Sequence, residues 1–186
     1  MSKKSELSTD FIEDRFGNKL FRIKALIDFS DVKAGDFGGY VESEKNLSQE
    51  GDAWVFDNAQ VYGNAQVYDN AHVCGNANVY GDAWVCDNAQ VCGDAQVYGD
   101  AWVCGNAHVY GDAWVCGNAG YATVGGFGTR FRTTTFFRCK DKKIRVSCGC
   151  FYGTIDEFRE QVKETREGGI AKEYLMIADL MEEHFK

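Results

Sequence analysis

The sequence predicts a mainly β protein whose middle, residues 41–124, is a parallel β-helix. A cap at residues 1–40 precedes it, and a β-hairpin with two α-helices follows at 125–186. Three observations predict this. From Gly51 the chain repeats every six residues, as GDAWVF, DNAQVY, GNAQVY, DNAHVC and onward to GNAGYA. Val recurs at 55, 61, 67, 73, 79, 85, 91, 97, 103, 109 and 115. Each unit also opens with Gly or Asp followed by Asn or Asp. A fixed short period marks stacked units that share one core. The alternation Ala-x-Val-x places Ala and Val on one strand face and the variable residues on the other. Gly, Asn and Asp tolerate the left-handed backbone that a tight corner demands.

The flanks follow in order. FIEDRFGNKLFRIKALIDF reads as a hairpin turning at Gly17-Asn18, with Phe21, Ile23 and Ala25 on one face. A glycine-rich stretch at Gly35, Gly38 and Gly39 leads into the coil and caps its edge. Val41 and Leu47 keep the step of six, and a two-residue slip before Val55 predicts an irregular first coil. Beyond the repeat, residues 133–139 and 144–150 read as a hairpin joined by Lys140, Asp141, Lys142 and Lys143. A helix then starts at a capping box, Thr154 with Glu157, carries Ile155, Phe158 and Val162 on one face and ends at Gly168. A last helix, about 170–185, offers the stripe Leu175, Ala178, Met181 or Tyr174, Ile177, Met181. With no core of their own expected, these helices are predicted to pack on the coil or on a second copy.

Charge excludes some functions. Residues 51–120 hold no Lys, Arg or Glu, only eight Asp; the other 20 acids balance the 20 bases, which leaves the net charge of -8. A coil with acids and no bases repels nucleic-acid backbones, so direct nucleic-acid binding by the coil is excluded. No apolar run is long enough for a membrane span, and MSKKSELSTD lacks the apolar run of a secretory signal. The expected location is cytoplasmic, with the eight cysteines reduced.

Six-residue units with one aliphatic and one small inward residue resemble the left-handed β-helix of hexapeptide-repeat proteins, in which three units form a triangular coil of eighteen residues. The segments DFSDVKAGDFGGYVESEKNLSQEGDAWV and IRVSCGCFYGTIDEF are similar to a family of bacterial and prophage hexapeptide-repeat proteins often labelled acetyltransferases. The resemblance implies the fold and leaves the chemistry open, because fold alone does not define function. Under that eighteen-residue period the outward residues fall into three faces. Trp54, His72, Gln90 and His108 share one; Gln60, Asn78, Gln96 and Trp114 a second; Gln66, Trp84, Trp102 and Gly120 a third. Tyr62, Tyr80 and Tyr98 stack beside the second. Such aromatic ladders are too apolar to stay in water, and something is expected to cover them.

Candidate sites follow from these faces. If the chain is a transferase, its catalytic residues are His72 and His108, although they occupy a slot filled elsewhere by Gln, Trp and Asn. No insertion in the coil promises a substrate pocket. The two histidines lie two coils apart, about 9–10 Å, too far to share one metal ion. No metal or cofactor is expected; Cys139, Cys148 and Cys150 crowd one hairpin, but Cys-x-Cys is a poor zinc spacing. Cys74 with Cys92, and Cys86 with Cys104, become stacked neighbours at about 4.8 Å, close enough for disulfides that a reducing compartment opposes. The groove beside Cys86 and Cys104 is expected to hold the last helix, with Leu175 and Met181 inserted. Stacked aspartates, Asp82 with Asp100 and Asp94 with Asp112, read as solvated corners rather than calcium ligands. The basic patch Arg130, Arg132, Arg138, Lys140, Lys142, Lys143 and Arg145 has the charge to grip a phosphate or nucleic acid, but with no nucleic-acid motif beside it is expected to dock on the acidic coil of the same or another subunit.

Three functions remain open at this point. The first is a non-catalytic scaffold, self-associating as a dimer or trimer and binding a protein partner through Trp54, Trp84, Trp102, Trp114, Tyr62, Tyr80 and Tyr98. The second is an acyl-CoA-dependent acyltransferase with a site between subunits. The third is an acidic phage inhibitor that imitates nucleic acid.

Overall fold

The computed structural model describes residues 3–14 and 16–186. The chain opens with the hairpin β1 (Ser5–Glu13) and β2 (Lys19–Ala25), followed by β3 (Phe37–Val41). Then come eleven short coil strands. These are β4 (Trp54–Val55), β5 (Gln60–Val61), β6 (Gln66–Val67), β7 (His72–Val73), β8 (Asn78–Val79), β9 (Trp84–Val85), β10 (Gln90–Val91), β11 (Gln96–Tyr98), β12 (Trp102–Val103), β13 (His108–Val109) and β14 (Trp114–Cys116).

The coil strands pair in parallel and sort into three faces: β4-β7-β10-β13, β5-β8-β11-β14 and β6-β9-β12. Every register steps by eighteen residues, as in Val73↔Val91↔Val109. The result is a β-solenoid of about four turns. Each Val from Val55 to Val115 is fully buried, and each Ala from Ala53 to Ala113 is buried beside it. Removing one Val side chain from water contributes about 1.5–3 kcal/mol before chain entropy is counted. The parallel ladder runs on backbone hydrogen bonds such as Gln60 N–H to the Ala77 carbonyl at 2.9 Å.

The corners explain the turn pair. Its first residue has φ between +54° and +78° from Asp57 to Gly117, and glycine fills most of these positions. Where aspartate replaces glycine, its carboxylate accepts the N–H eighteen residues on. Asp57 Oδ2 receives Gly75 N–H at 3.0 Å, Asp69 Oδ2 receives Asp87 N–H at 3.3 Å, and Asp87 Oδ2 receives Gly105 N–H at 2.9 Å. The second turn residues form side-chain ladders, with Asn70 donating to Asn88 and Asn88 to Asn106, each at 3.2 Å.

The first coil carries the predicted slip. Val41 pairs with Val61 and Leu47 with Val67, twenty residues apart rather than eighteen. A short 3-10 turn at Glu44–Asn46 absorbs the extra length, and buried Asn46 ties it down by donating to the Gly63 and Ala65 carbonyls. The N-terminal hairpin extends the β5 face through β3, so the cap and this wall form one seven-stranded sheet. Lys4 plugs the end of the coil: it is 2% exposed, and its ammonium donates to the carbonyls of Glu50, Gly51 and Ala53.

At the other end the predicted hairpin is a four-stranded antiparallel sheet: β15 (Tyr121–Phe127), β16 (Arg132–Arg138), β17 (Ile144–Cys148) and β18 (Phe151–Thr154). The outer strands were not read from the sequence, because β15 begins inside the last repeat unit and β18 is a four-residue edge. Gly120 is buried in a short 3-10 turn and does not continue the third face. Fully buried Phe137 closes the coil core from this side, and Ala113 bridges to Cys139.

Helix α1 (Ile155–Thr165) starts at the predicted capping box, with Glu157 N–H donating to Thr154 Oγ1 at 3.2 Å. Helix α2 (Gly168–His184) follows directly. The expectation that these helices lack a core is overturned. Ile155, Phe158, Val162, Ile177, Ala178, Met181 and Phe185 pack with Phe136 and Val146 of the sheet in a second apolar cluster. The sheet thus provides the apolar face that the helices need, and Met181 and Leu175 do not enter the groove beside Cys86. Tyr68 and Trp102 approach Cys86 instead.

The aromatic ladders form as predicted but divide by exposure. Tyr62, Tyr80 and Tyr98 stack in parallel at 5.1 Å per step. Trp84, Trp102 and Trp114 stay 41%, 50% and 41% exposed, uncovered by the chain. Trp54 is the correction: it is 1% exposed, packed edge-on to Phe29 at 5.3 Å, because the N-terminal cap folds over it. The thiols need a second correction. Cys74 and Cys92 are joined in a disulfide, while the equivalent Cys86 and Cys104 remain free. The rung spacing that stacks these residues brings the Cys74 and Cys92 Cα atoms to 4.6 Å, within disulfide reach. Among the described residues no helix is long and apolar enough to cross a membrane.

Candidate active site

The two histidines separate sharply in their surroundings. His72 lies near the cap, its ring edge-on to Phe56 at 5.1 Å. His108 lies two rungs away on the same face, on the last strand of that wall. There β16 crosses the edge, and the Thr135 hydroxyl accepts the His108 backbone N–H at 3.0 Å. Between the coil and the C-terminal sheet opens a cleft of about 620 Å³, lined by Asn106, His108, Arg130, Phe131, Arg132, Thr133, Ser147, Gly149 and Cys150. The coil has no inserted loop, so no pocket was expected; the C-terminal sheet supplies the missing wall. The cleft is lined by residues of a single chain.

The His108 ring is fixed by its neighbours. The Tyr110 hydroxyl donates its single proton to Gln90 Oε1 at 2.6 Å, and it lies 3.2 Å from His108 Nδ1. With that proton committed, the hydroxyl oxygen can only accept from Nδ1–H. Nδ1 therefore carries the hydrogen, and Nε2 holds the lone pair of a base. Burial lowers the His108 pKa below its ordinary 6.5, which keeps the ring neutral. Burial also raises the Tyr110 pKa, so the hydroxyl stays protonated. Tyr110 and Gln90 were not singled out in the sequence. The eighteen-residue column puts Gln90 beside His108, and Tyr110 follows two positions on along the same face.

The basic patch does not act as one unit. Arg130 and Arg132 line the cleft. A smaller cavity of about 150 Å³ shares both arginines and adds Arg166, Phe151, Phe158 and Tyr174 from the helical side. Arg138 stacks on Phe185 at 5.9 Å and donates to its carbonyl. Lys140 and Arg145 lie where the hairpin meets the coil. The Lys140 backbone N–H meets the Asp112 carbonyl at 3.3 Å, and Arg145 pairs with Asp141 at 2.8 Å within the field of Asp112. Lys142 and Lys143 are exposed in the turn.

Cys139, Cys148 and Cys150 do not converge. Cys139 is buried against the coil, with its pKa pushed up to about 12 by burial and then by Asp112. Cys148 accepts from Thr134 Oγ1 at 3.1 Å, and Cys150 is exposed on the cleft wall. Among the described residues, the three side chains Cys86, Asp87 and Cys104 are the one group placed to share a metal ion.

Fold and cleft together define a hexapeptide-repeat β-solenoid protein with an arginine-lined cavity at one end. Comparison narrows the class. The model of the YdcK beta solenoid repeat family matches residues 59–75 and 89–105. A stretch of 38 residues is 47% identical to the uncharacterized acetyltransferase YdcK of Escherichia coli (strain K12), covering 20% of this chain and 12% of that relative. These similarities fit the β-helix family with the acetyltransferase label to which the sequence resemblance pointed. The chain spans about an eighth of the relative's length, and both matched family segments lie in the repeats, short of His108, Arg130 and Arg132.

Proposed function

We propose that the chain is an acyltransferase that takes an acyl group from a phosphate-bearing thioester of the acyl-CoA type and uses His108 as general base. The observation that carries this reading is the hydrogen bond from His108 Nδ1 to Tyr110, which reserves Nε2 as base on a wall shared with Arg130 and Arg132. In the reaction, Nε2 removes the proton from an acceptor amine or hydroxyl as that atom attacks the thioester carbonyl. The carbon–sulfur bond breaks, and the proton passes to the departing thiolate. Arg130 and Arg132 offer charge to the carrier's phosphates. Acetyl-CoA at a hundredfold excess over its dissociation constant should stabilise the protein by about 2.7 kcal/mol. Arg132→Ala should reduce that protection, whereas His108→Gln should bind and not turn over. No thermal protection by acetyl-CoA or a longer acyl-CoA would remove the proposal.

A second reading rests on a different observation. Trp84 and Trp102 meet edge to face at 5.7 Å and are both more than a third exposed on a rigid wall. A self-associating scaffold would bury them against a second copy. Replacing both with Ser should shift the sedimentation profile toward the monomer; an unchanged profile refutes self-association through this face.

A further inference from the structure

We propose that Cys86, Asp87 and Cys104 form a binding site for a thiophilic divalent cation such as zinc, on the third face of the coil and apart from the cleft at His108. The geometry points to it directly. One ligand atom from each residue lies within 4.8 Å of the other two. A tetrahedral zinc ion with two thiolates and a carboxylate needs ligand atoms roughly 3.6–3.8 Å apart, so the site must close by no more than about 1 Å. Two thiolates with one oxygen ligand suit a soft or borderline ion rather than magnesium or calcium.

The surroundings distinguish this pair from Cys74 and Cys92. Both pairs are stacked one coil apart, yet Cys74 and Cys92 are bonded and Cys86 and Cys104 are not. Around Cys86 the coil supplies hydrogen-bond donors: Trp102 Nε1–H reaches the Cys86 sulfur at 3.2 Å, and Tyr68 also hydrogen-bonds to it. The Cys104 sulfur lies 3.9 Å from the Tyr121 hydroxyl. These groups orient the sulfurs from outside the ligand set, the arrangement that fixes metal ligands in general. Asp87 is held as well. It occupies a corner at φ +57°, and its Oδ2 accepts from Gly105 N–H at 2.9 Å. No Lys or Arg occurs between residues 51 and 120, and His72 and His108 lie on another face, so no cationic side chain of the coil stands against the Asp87 carboxylate. A bound cation would supply that charge. Three protein ligands leave one position open to water or another donor.

The experiment uses the full chain with the Cys74–Cys92 disulfide intact, handled without oxygen or reductant and titrated with cadmium(II). One equivalent should bind with a sulfur-to-metal absorption band in the ultraviolet, and zinc(II) should displace it. Cys86→Ser and Cys104→Ser should each abolish the tight band, and Asp87→Asn should weaken binding by about tenfold or more. Cys104 is half-buried, so its serine variant keeps the test valid if Cys86→Ser fails to fold. A band that survives in folded Cys104→Ser assigns the metal to Cys116, Cys139, Cys148 or Cys150 and overturns the proposal. Absence of any band in protein whose free thiols have been counted overturns it as well.

Discussion

His108 donates from Nδ1 to the Tyr110 hydroxyl at 3.2 Å, because that hydroxyl's own proton is directed to Gln90. This bond decides which ring nitrogen can act, and it gives the acyl-transfer proposal its pH signature. A general base works in its neutral form, and burial holds the His108 pKa below 6.5. Activity should therefore persist as pH falls through 6.5 and disappear only below the lowered value. His108→Gln should lose about 10²–10⁴-fold in turnover. Tyr110→Phe should keep acyl-CoA binding and lose a smaller part of the rate, since it frees the tautomer without removing the base. A pH–rate profile of the three proteins checks this; a Tyr110→Phe profile identical to the parent would show that the hydrogen bond has no catalytic part.

Val91 stacks between Val73 and Val109 and is fully buried. Val91→Ala should destabilise the fold by about 1.5–3 kcal/mol, through lost transfer energy and the cavity left in a wall that cannot collapse. Denaturant unfolding measures it. Gln90→Asn, one residue away on the outer face, should cost far less.

Asp57 sits at φ +54° and accepts Gly75 N–H at 3.0 Å. The usual ranking of alanine above glycine should invert here. Asp57→Gly loses the hydrogen bond but keeps the backbone relaxed, whereas Asp57→Ala adds strain of about 1–2 kcal/mol. Thermal unfolding of the two variants should place glycine above alanine; the opposite order would mean that the corner relaxes out of the left-handed region.

Lys4 has its pKa lowered from 10.5 to about 8, chiefly by burial, which outweighs the opposing pull of Asp52. Between these values the unfolded chain holds a proton that the folded chain releases, so stability should rise as pH increases from 8 to 10.5. Lys4→Met should lose this slope. It should also cost about 1–3 kcal/mol, because three carbonyls at the end of the coil lose their donor. Melting curves across that pH interval test both effects; an unchanged slope in Lys4→Met would assign the proton to another group.

The sequence by itself determined the coil. Val at every sixth position, Ala two residues before it and a corner pair between units leave one way to bury the apolar atoms, and Val73, Val91 and Val109 stack as the spacing requires. The capping box of α1 and the slip before Val55 were equally legible, because each depends on residues close in the chain. Tertiary structure alone decided the rest. Trp54 and Trp102 occupy equivalent outward slots, yet the cap hides one and leaves the other in water. His72 and His108 look interchangeable, yet only the second has β16 beside it to form a cleft. Cys74–Cys92 and Cys86–Cys104 share one spacing and differ in what surrounds the sulfurs. A repeat writes its local geometry into every unit alike; what folds back over each unit comes from residues far along the chain, which the period cannot encode.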